Sequence, residues 1–416
     1  MNKLIIKNLI SGAIIDGYCD ETIKLIQNKA IVGLNESAKA LSIIGVSKNI
    51  DGKILIVEPN PVSAKKIVEE LNKIKASVAM HFSEGDMQLI VGLKNHDYQW
   101  QRLECIYRLL NNNIKIICIS SYALLHKLQK LECYSKFELK QNTEIKNHKL
   151  IGMLIDLGYT RVDKVENKSE FAVRGDIFDI FTPNAKNPYR IEFFDDTIDS
   201  IREIDVLSQR SISKLQCVEI FQCSEYIVSK DDRQRAAEKF RNLVKNSQNR
   251  VKNQSFLSSS ETMEAIDRLE KLEENCDNIL ENGYFQSINL FSSVMFDKLV
   301  PIEELVQPEL IIIDSQGKCE IDIKNKYESF KNDLSTGIEY GFSIPEQENQ
   351  LFSPYSTIKR LKNYDKIYFD EQITEYYIKN DIEIIDSGLI SLSDYFSTPE
   401  KIINELKHYE IDELNI

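Results

Sequence analysis

The stretch Gly33-Leu34-Asn35-Glu36-Ser37-Ala38-Lys39-Ala40 follows the apolar run Ala30-Ile31-Val32 and leads into a segment of helical spacing. It keeps the first glycine and the lysine of the pattern G-x-x-x-x-G-K-[ST]. In that pattern backbone amides wrap a nucleotide's phosphates and a hydroxyl holds magnesium. Here the second glycine is Ala38 and the hydroxyl position is Ala40. A Cβ at the tight turn crowds the amides, loss of the hydroxyl removes a Mg²⁺ ligand, and Glu36 brings a negative charge to the loop. The other half of such a site is an apolar strand ending in acids. Leu310-Ile311-Ile312-Ile313-Asp314-Ser315 supplies one acid, with Ser315 where a second is needed, and an unactivated serine is no general base. Two independent lesions read as a lost ATPase. An ordinary surface turn at Gly33 and a core strand ending in a solvated Asp314 predict the same lack of catalysis. No catalytic residue and no cofactor are expected of this chain. A metal set is not expected either, because the five histidines are scattered and no CxxC occurs among the eight cysteines.

The elements that must position these residues form an α/β pattern. Lys53 to Val57 reads as a strand closed by Glu58-Pro59-Asn60-Pro61, Val62 to Ile74 as a helix, Gln101 to Leu110 as a second helix, and Ile114 to Ile119 as a strand buried on both sides. Alternating strands and helices predict a mostly parallel sheet. From Ser120 the rhythm changes. Phe171 to Gly175, Ile177 to Phe181, Tyr189 to Phe194 and Ile198 to Ile204 are short, closely spaced strands, a hairpin-rich signature. Residues 229–282 have helical character, and strands return at 310–313, 366–369 and 382–385. The hairpin rhythm, running to about Gln222, reads as a second domain inserted into or appended to the α/β part, and 391–416 reads as a connector with a charged, helix-like stretch from Pro399 to Leu414.

A chain of 416 residues exceeds the size of one ordinary core, so more than one domain is expected. A net charge of −13 opposes non-specific binding to a polyanion, although a local basic patch remains compatible with it. No run of apolar residues is long enough to span a membrane, and the start lacks a secretory signature. Scattered cysteines fit a reducing cytosol, so a cytoplasmic monomer is expected.

The middle region carries a resemblance. Leu157-Gly158-Tyr159-Thr160-Arg161-Val162, Glu170 through Phe181, Pro188 through Arg202, and Ser208-Gln209-Arg210 together resemble the bacterial transcription-repair coupling factors (Mfd). Gln101-Arg102-Leu103-Glu104 is similar to that family too, and Glu339-Tyr340-Gly341-Phe342-Ser343-Ile344-Pro345 resembles the excinuclease component UvrB. The resemblance implies the amino-terminal module alone. That module has a degenerate RecA-like (P-loop NTPase-like) α/β domain, which the resemblance splits here into 1–120 and 218–390, with an inserted, hairpin-rich α+β second domain at 121–217, as in UvrB. It implies no catalysis by this chain, with ATP and magnesium used only by a superfamily 2 translocase motor further along the family's full-length protein. It also implies transcription-coupled nucleotide excision repair. The second domain would bind the excinuclease component UvrA, through a surface masked within the full-length protein. RNA polymerase and DNA would be bound by domains absent here.

The residues matching the family's UvrA-binding surface are Arg174, Arg190 and Phe194. Guanidiniums make bidentate pairs with carboxylates, and an aromatic beside them fills an apolar pocket. Arg190 and Phe194 fall on one face of a strand, about 13 Å apart by its rise, with Ile191 and Phe193 on the core side. Local pairing of Arg174 and Arg190 with Asp176 or Glu192, and a core position for Phe194, stay open. Asp179, Asp195 and Asp196 read as turn formers or helix-start acids. Other classes remain: a nucleotide-dependent DNA enzyme of the UvrB type, or a structural brake on the absent motor.

Overall fold

Apolar β-branched runs become strands wherever both of their faces are covered. The computed structural model describes residues 27–85, 89, 97–255 and 257–387. In chain order the first part is β1 (Lys29–Val32), α1 (Glu36–Lys48), β2 (Lys53–Glu58), α2 (Pro61–Ile74), β3 (Ala79–His81), α3 (Asp97–Leu110) and β4 (Ile116–Ser120). The helices start where capping chemistry dictates. The Asn35 side chain accepts from the Ala38 amide at 2.9 Å, and Asn60 accepts from the Val62 and Ser63 amides, with Pro61 at the first helical position.

The chain then builds β5 (Lys136–Lys140), α4 (Asn147–Asp156), β6 (Thr160–Arg161), β7 (Glu170–Arg174), β8 (Ile177–Ile180), β9 (Tyr189–Phe194), β10 (Thr197–Ile204), β11 (Ser211–Leu215) and β12 (Cys217–Phe221). It returns through α5 (Arg233–Lys252), α6 (Ser259–Glu273), α7 (Asn275–Asn282), β13 (Pro308–Asp314), α8 (Gln316–Glu339), α9 (Pro354–Leu361), β14 (Lys366–Asp370) and β15 (Ile384–Asp386).

The body is a seven-stranded sheet of order β15-β1-β14-β13-β2-β4-β3, parallel at every pairing. Its central strands are buried on both faces, and alternation divides them between two cores. Leu55, Val57, Ile117, Ile119 and Ile311 face one layer, while Ile54, Ile56, Ile116, Leu310 and Ile312 face the other. Each such buried aliphatic contributes about 1.5–3 kcal/mol of burial energy.

The second unit is a six-stranded sheet, β11-β10-β9-β8-β7-β6, antiparallel except at β6–β7. An antiparallel ribbon of β5 and β12 accompanies it. Phe171, Phe178, Ile191, Phe193 and Ile198 of the sheet pack with Leu150 and Leu154 of α4 and with Val218 and Ile220 of the ribbon. The fold is therefore a RecA-like α/β body carrying a hairpin-rich domain.

The boundaries of that domain move from those expected at 121 and 217. Tyr122, Ala123, Leu124, Leu125 and Leu128 lie in the core of the body, and Leu128 bridges to Val300. At the other end, residue 217 opens β12, whose Val218 and Ile220 pack into the core of the insert. The charged stretch from Pro399 to Leu414, the rest of the connector and the first 26 residues lie outside the described residues. Among the described residues no helix is long and apolar enough to cross a membrane.

Candidate functional site

Strand order brings the two halves of the candidate phosphate site together across 275 positions of sequence. Only β14 separates β1 from β13, so Lys39 on α1 reaches Asp314 at the end of β13. Its Nζ lies 2.8 Å from Oδ1 and 2.6 Å from Oδ2, with both side chains about nine-tenths buried. The amine that would hold phosphates is thus occupied by the acid that would hold magnesium.

The loop amides are occupied as well. α1 begins at Glu36, and Asn35 takes the Ala38 amide with its side chain and the Lys39 amide, at 2.9 Å, with its carbonyl. Gly33 keeps the left-handed turn of such loops, φ +78°, and donates its amide to the Asp370 carbonyl. Ala38 and Ala40 are buried in the apolar layer.

Acids dominate what is left of the cleft, which has a volume of about 170 Å³. Glu36, Glu58, Glu70, Asp314 and Glu371 face Lys39, Lys66 and Lys318. Lys66 pairs with Glu36 at 2.5 Å and Lys318 approaches Glu371 at 3.8 Å, so the cations are already matched. Burial, and then the Asp314 charge, push the Glu58 carboxyl up to about 7. Burial likewise raises Asp370, which accepts from the Tyr377 hydroxyl at 2.9 Å. Ser315, at φ +52°, donates to Asp314 Oδ1 at 3.2 Å. Among the described residues lining this cleft, a triphosphate would meet excess negative charge, with Lys39 held by Asp314 in the interior and Lys66 and Lys318 beside acids at the surface.

The second candidate lies on the outer face of the six-stranded sheet. Alternation along β9 buries Ile191 and Phe193 and turns Arg190, Glu192 and Phe194 outward. Phe194 is 74% exposed beside the Asp195-Asp196 turn, with Asp195 at φ +52°. This answers the open question of its placement: it is not a core residue. Arg174 ends β7 next to Gly175, whose φ of +61° makes the β7–β8 turn a glycine position.

Neither arginine pairs with Asp176 or Glu192; both converge on Asp179. Arg190 Nε and Nη2 donate to its two oxygens at 2.7 and 2.9 Å, and Arg174 Nη2 donates at 2.5 Å. Asp179 is 1% exposed, so it is not the turn former or helix-start acid that its sequence neighbours suggest. It is a buried acceptor opposite Arg190 in the β8–β9 register. Glu192 instead takes Arg202 and the Ser200 hydroxyl.

Sequence reasoning misses Asp179 as the acceptor of both arginines and Glu58 as a buried acid lining the cleft. The signal for Asp179 is present, as an acid at an alternating strand position where only a cation opposite makes burial tolerable. It also misses the buried pair of Arg102 and Glu225, which joins α3 to the segment returning from the insert.

Residues 137–226, which span the six-stranded sheet and its ribbon, match the UvrB interaction domain family model. The chain is similar to the transcription-repair-coupling factor of Bacillus subtilis, 28% identical over 218 residues, 51% of this chain and 18% of that protein. It is similar to UvrABC system protein B of Methanosphaera stadtmanae, 24% identical over 94% of this chain and 62% of that protein. A UvrABC system protein B of Clostridium botulinum is 24% identical over 76% of this chain and 51% of its own length. The chain therefore spans less than two thirds of the length of each of these relatives.

Proposed function

We propose that this chain is the docking module of a nucleotide excision repair factor of the transcription-coupled type, and that its inserted domain recruits UvrA. The observation that carries the reading is Phe194. It is a large aromatic ring held in solvent on the same sheet face as Arg174 and Arg190, within the stretch that matches the UvrB interaction domain. Exposing such a ring costs solvation that a partner's pocket recovers, and arginine and aromatic side chains are the usual anchors of interfaces.

In the proposed sequence of events, RNA polymerase stalled at a lesion is engaged by domains beyond this chain. The docking face, masked until then, is exposed and captures UvrA in the cytoplasm. The α/β body contributes shape and no nucleotide chemistry, acting as a monomeric scaffold. The test is calorimetric titration of purified UvrA with the chain and with its Phe194→Ala and Arg174→Glu variants. Binding that weakens with salt and falls at least about tenfold in each variant fits a desolvated centre. Undiminished affinity in both variants removes the face from the account.

One observation favours a second reading, a nucleotide-dependent enzyme of the UvrB type: the match to UvrABC system protein B runs along 94% of the chain. The occupied Lys39 and the alanines at 38 and 40 oppose it. Magnesium-dependent retention of ATP on a filter would restore it.

A further inference from the structure

The two arginines of the docking face rest on a single buried acid, and they do not rest on it equally. We propose that Asp179 is a positioning residue that locks Arg174 and Arg190 into one rigid plate, in which Arg174 is the contact to a carboxylate of the partner and Arg190 is the buttress. This rests on the docking reading above and assigns unequal roles within it.

Arg190 is spent internally. Its Nε and Nη2 form the two-pronged pair with Asp179, while Gln209 takes Nη2 through its side chain at 3.1 Å and Nη1 through its carbonyl at 3.4 Å. Its side chain is 19% exposed. Arg174 is 51% exposed and touches Asp179 through Nη2 alone. The register explains the asymmetry. Asp179 stands directly opposite Arg190 across β8–β9 and diagonally from Arg174, which is itself opposite Ile177 across β7–β8.

One anion beneath two cations leaves the plate positive on a chain of net charge −13, and that local sign selects a carboxylate. A long exposed arginine ordinarily loses rotamer freedom on binding. Here Asp179 imposes that loss at folding, before the partner arrives.

The test is a double-mutant cycle read by titration with UvrA, using Asp179→Asn, which keeps the shape and removes the charge, and Arg174→Ala. Asp179→Asn weakens binding about tenfold when Arg174 is present and less than about twofold when it is absent. An equal loss in both backgrounds means ordinary destabilisation and overturns the assignment. Arg190→Lys keeps the charge but not the fork, and gives the same pattern in a variant that retains the buried pair.

A partner-free measurement separates this inference from the docking reading. If UvrA does not bind the unmutated chain, docking fails, and the arginine side-chain NMR signals alone decide the plate. An Arg174 Nε that is ordered in the unmutated chain and mobile in Asp179→Asn supports the plate; an unchanged Arg174 Nε overturns it.

Discussion

Glu58→Gln should stabilise the protein, and the gain should depend on pH. Glu58 ends β2 with 4% of its surface exposed, and its carboxyl is raised from 4.5 to about 7, first by burial and then by the Asp314 charge. An acid raised on folding holds its proton more tightly in the folded chain. Its stabilising contribution is whole below pH 4.5 and is lost as pH rises through 7. At about 1.4 kcal/mol for each pH unit between the two values, ionising Glu58 in place costs about 3 kcal/mol.

Glutamine has nothing to ionise. The variant should exceed the parent by about 3 kcal/mol at pH 8.5 and by only about 1 kcal/mol at pH 5.5. Urea unfolding followed by fluorescence reads the body directly, because the one tryptophan, Trp100, lies in α3. With a urea slope of about 3 kcal/mol/M, the midpoint at pH 8.5 should rise by about 1 M. An equal rise at both pH values would mean better packing and no titration. A fall at pH 8.5 would mean instead that Glu58 is ionised and needed by Lys39.

Three further outcomes follow from the same geometry. Restoring the motif with Ala38→Gly and Ala40→Ser together should not restore Mg-ATP binding in equilibrium dialysis, because Asp314 still holds Lys39 and Asn35 still holds the loop amides; retention of ATP would contradict this. Glu225→Ala should destabilise by about 3–5 kcal/mol in thermal unfolding, since it strands the Arg102 guanidinium, which is 5% exposed and stacked 4.3 Å over the Phe82 ring. Gly175→Ala meets no atom within 4 Å but places a side chain at φ +61°, so it should cost about 1 kcal/mol in denaturant unfolding through the backbone alone.

The local elements are legible in the sequence because each carries its own period. Tyr189 to Phe194 alternates cleanly, and Lys53 to Val57 and Leu310 to Ile313 are apolar enough to be buried on both faces. The departures from the phosphate-loop pattern at Ala38 and Ala40, and Ser315 after Asp314, can be read at single positions. Pairings set by strand order cannot. The sequence names the Lys39 loop and Asp314 as two halves of one site, but nothing in it announces that the two side chains bond each other directly, a contact that the strand order β1-β14-β13 permits. Asp179 misleads for the same reason. Its neighbours in sequence suggest a turn, while across the sheet it stands opposite Arg190 and diagonal to Arg174. The hairpin rhythm runs on to about Gln222, past the edge at 217 that the resemblance implies, and β12 pairs with β5 and packs Val218 and Ile220 into the core of the insert.

The proposed docking requires direct contact between the outer face of the insert and UvrA. A photo-crosslinking residue at Phe194, with a control at Tyr355 (78% exposed on α9), tests that contact directly in a mixture of the two purified proteins. The predicted result is a covalent adduct with UvrA from position 194 and none from position 355. No adduct at 194, or equal capture at 355, would contradict it.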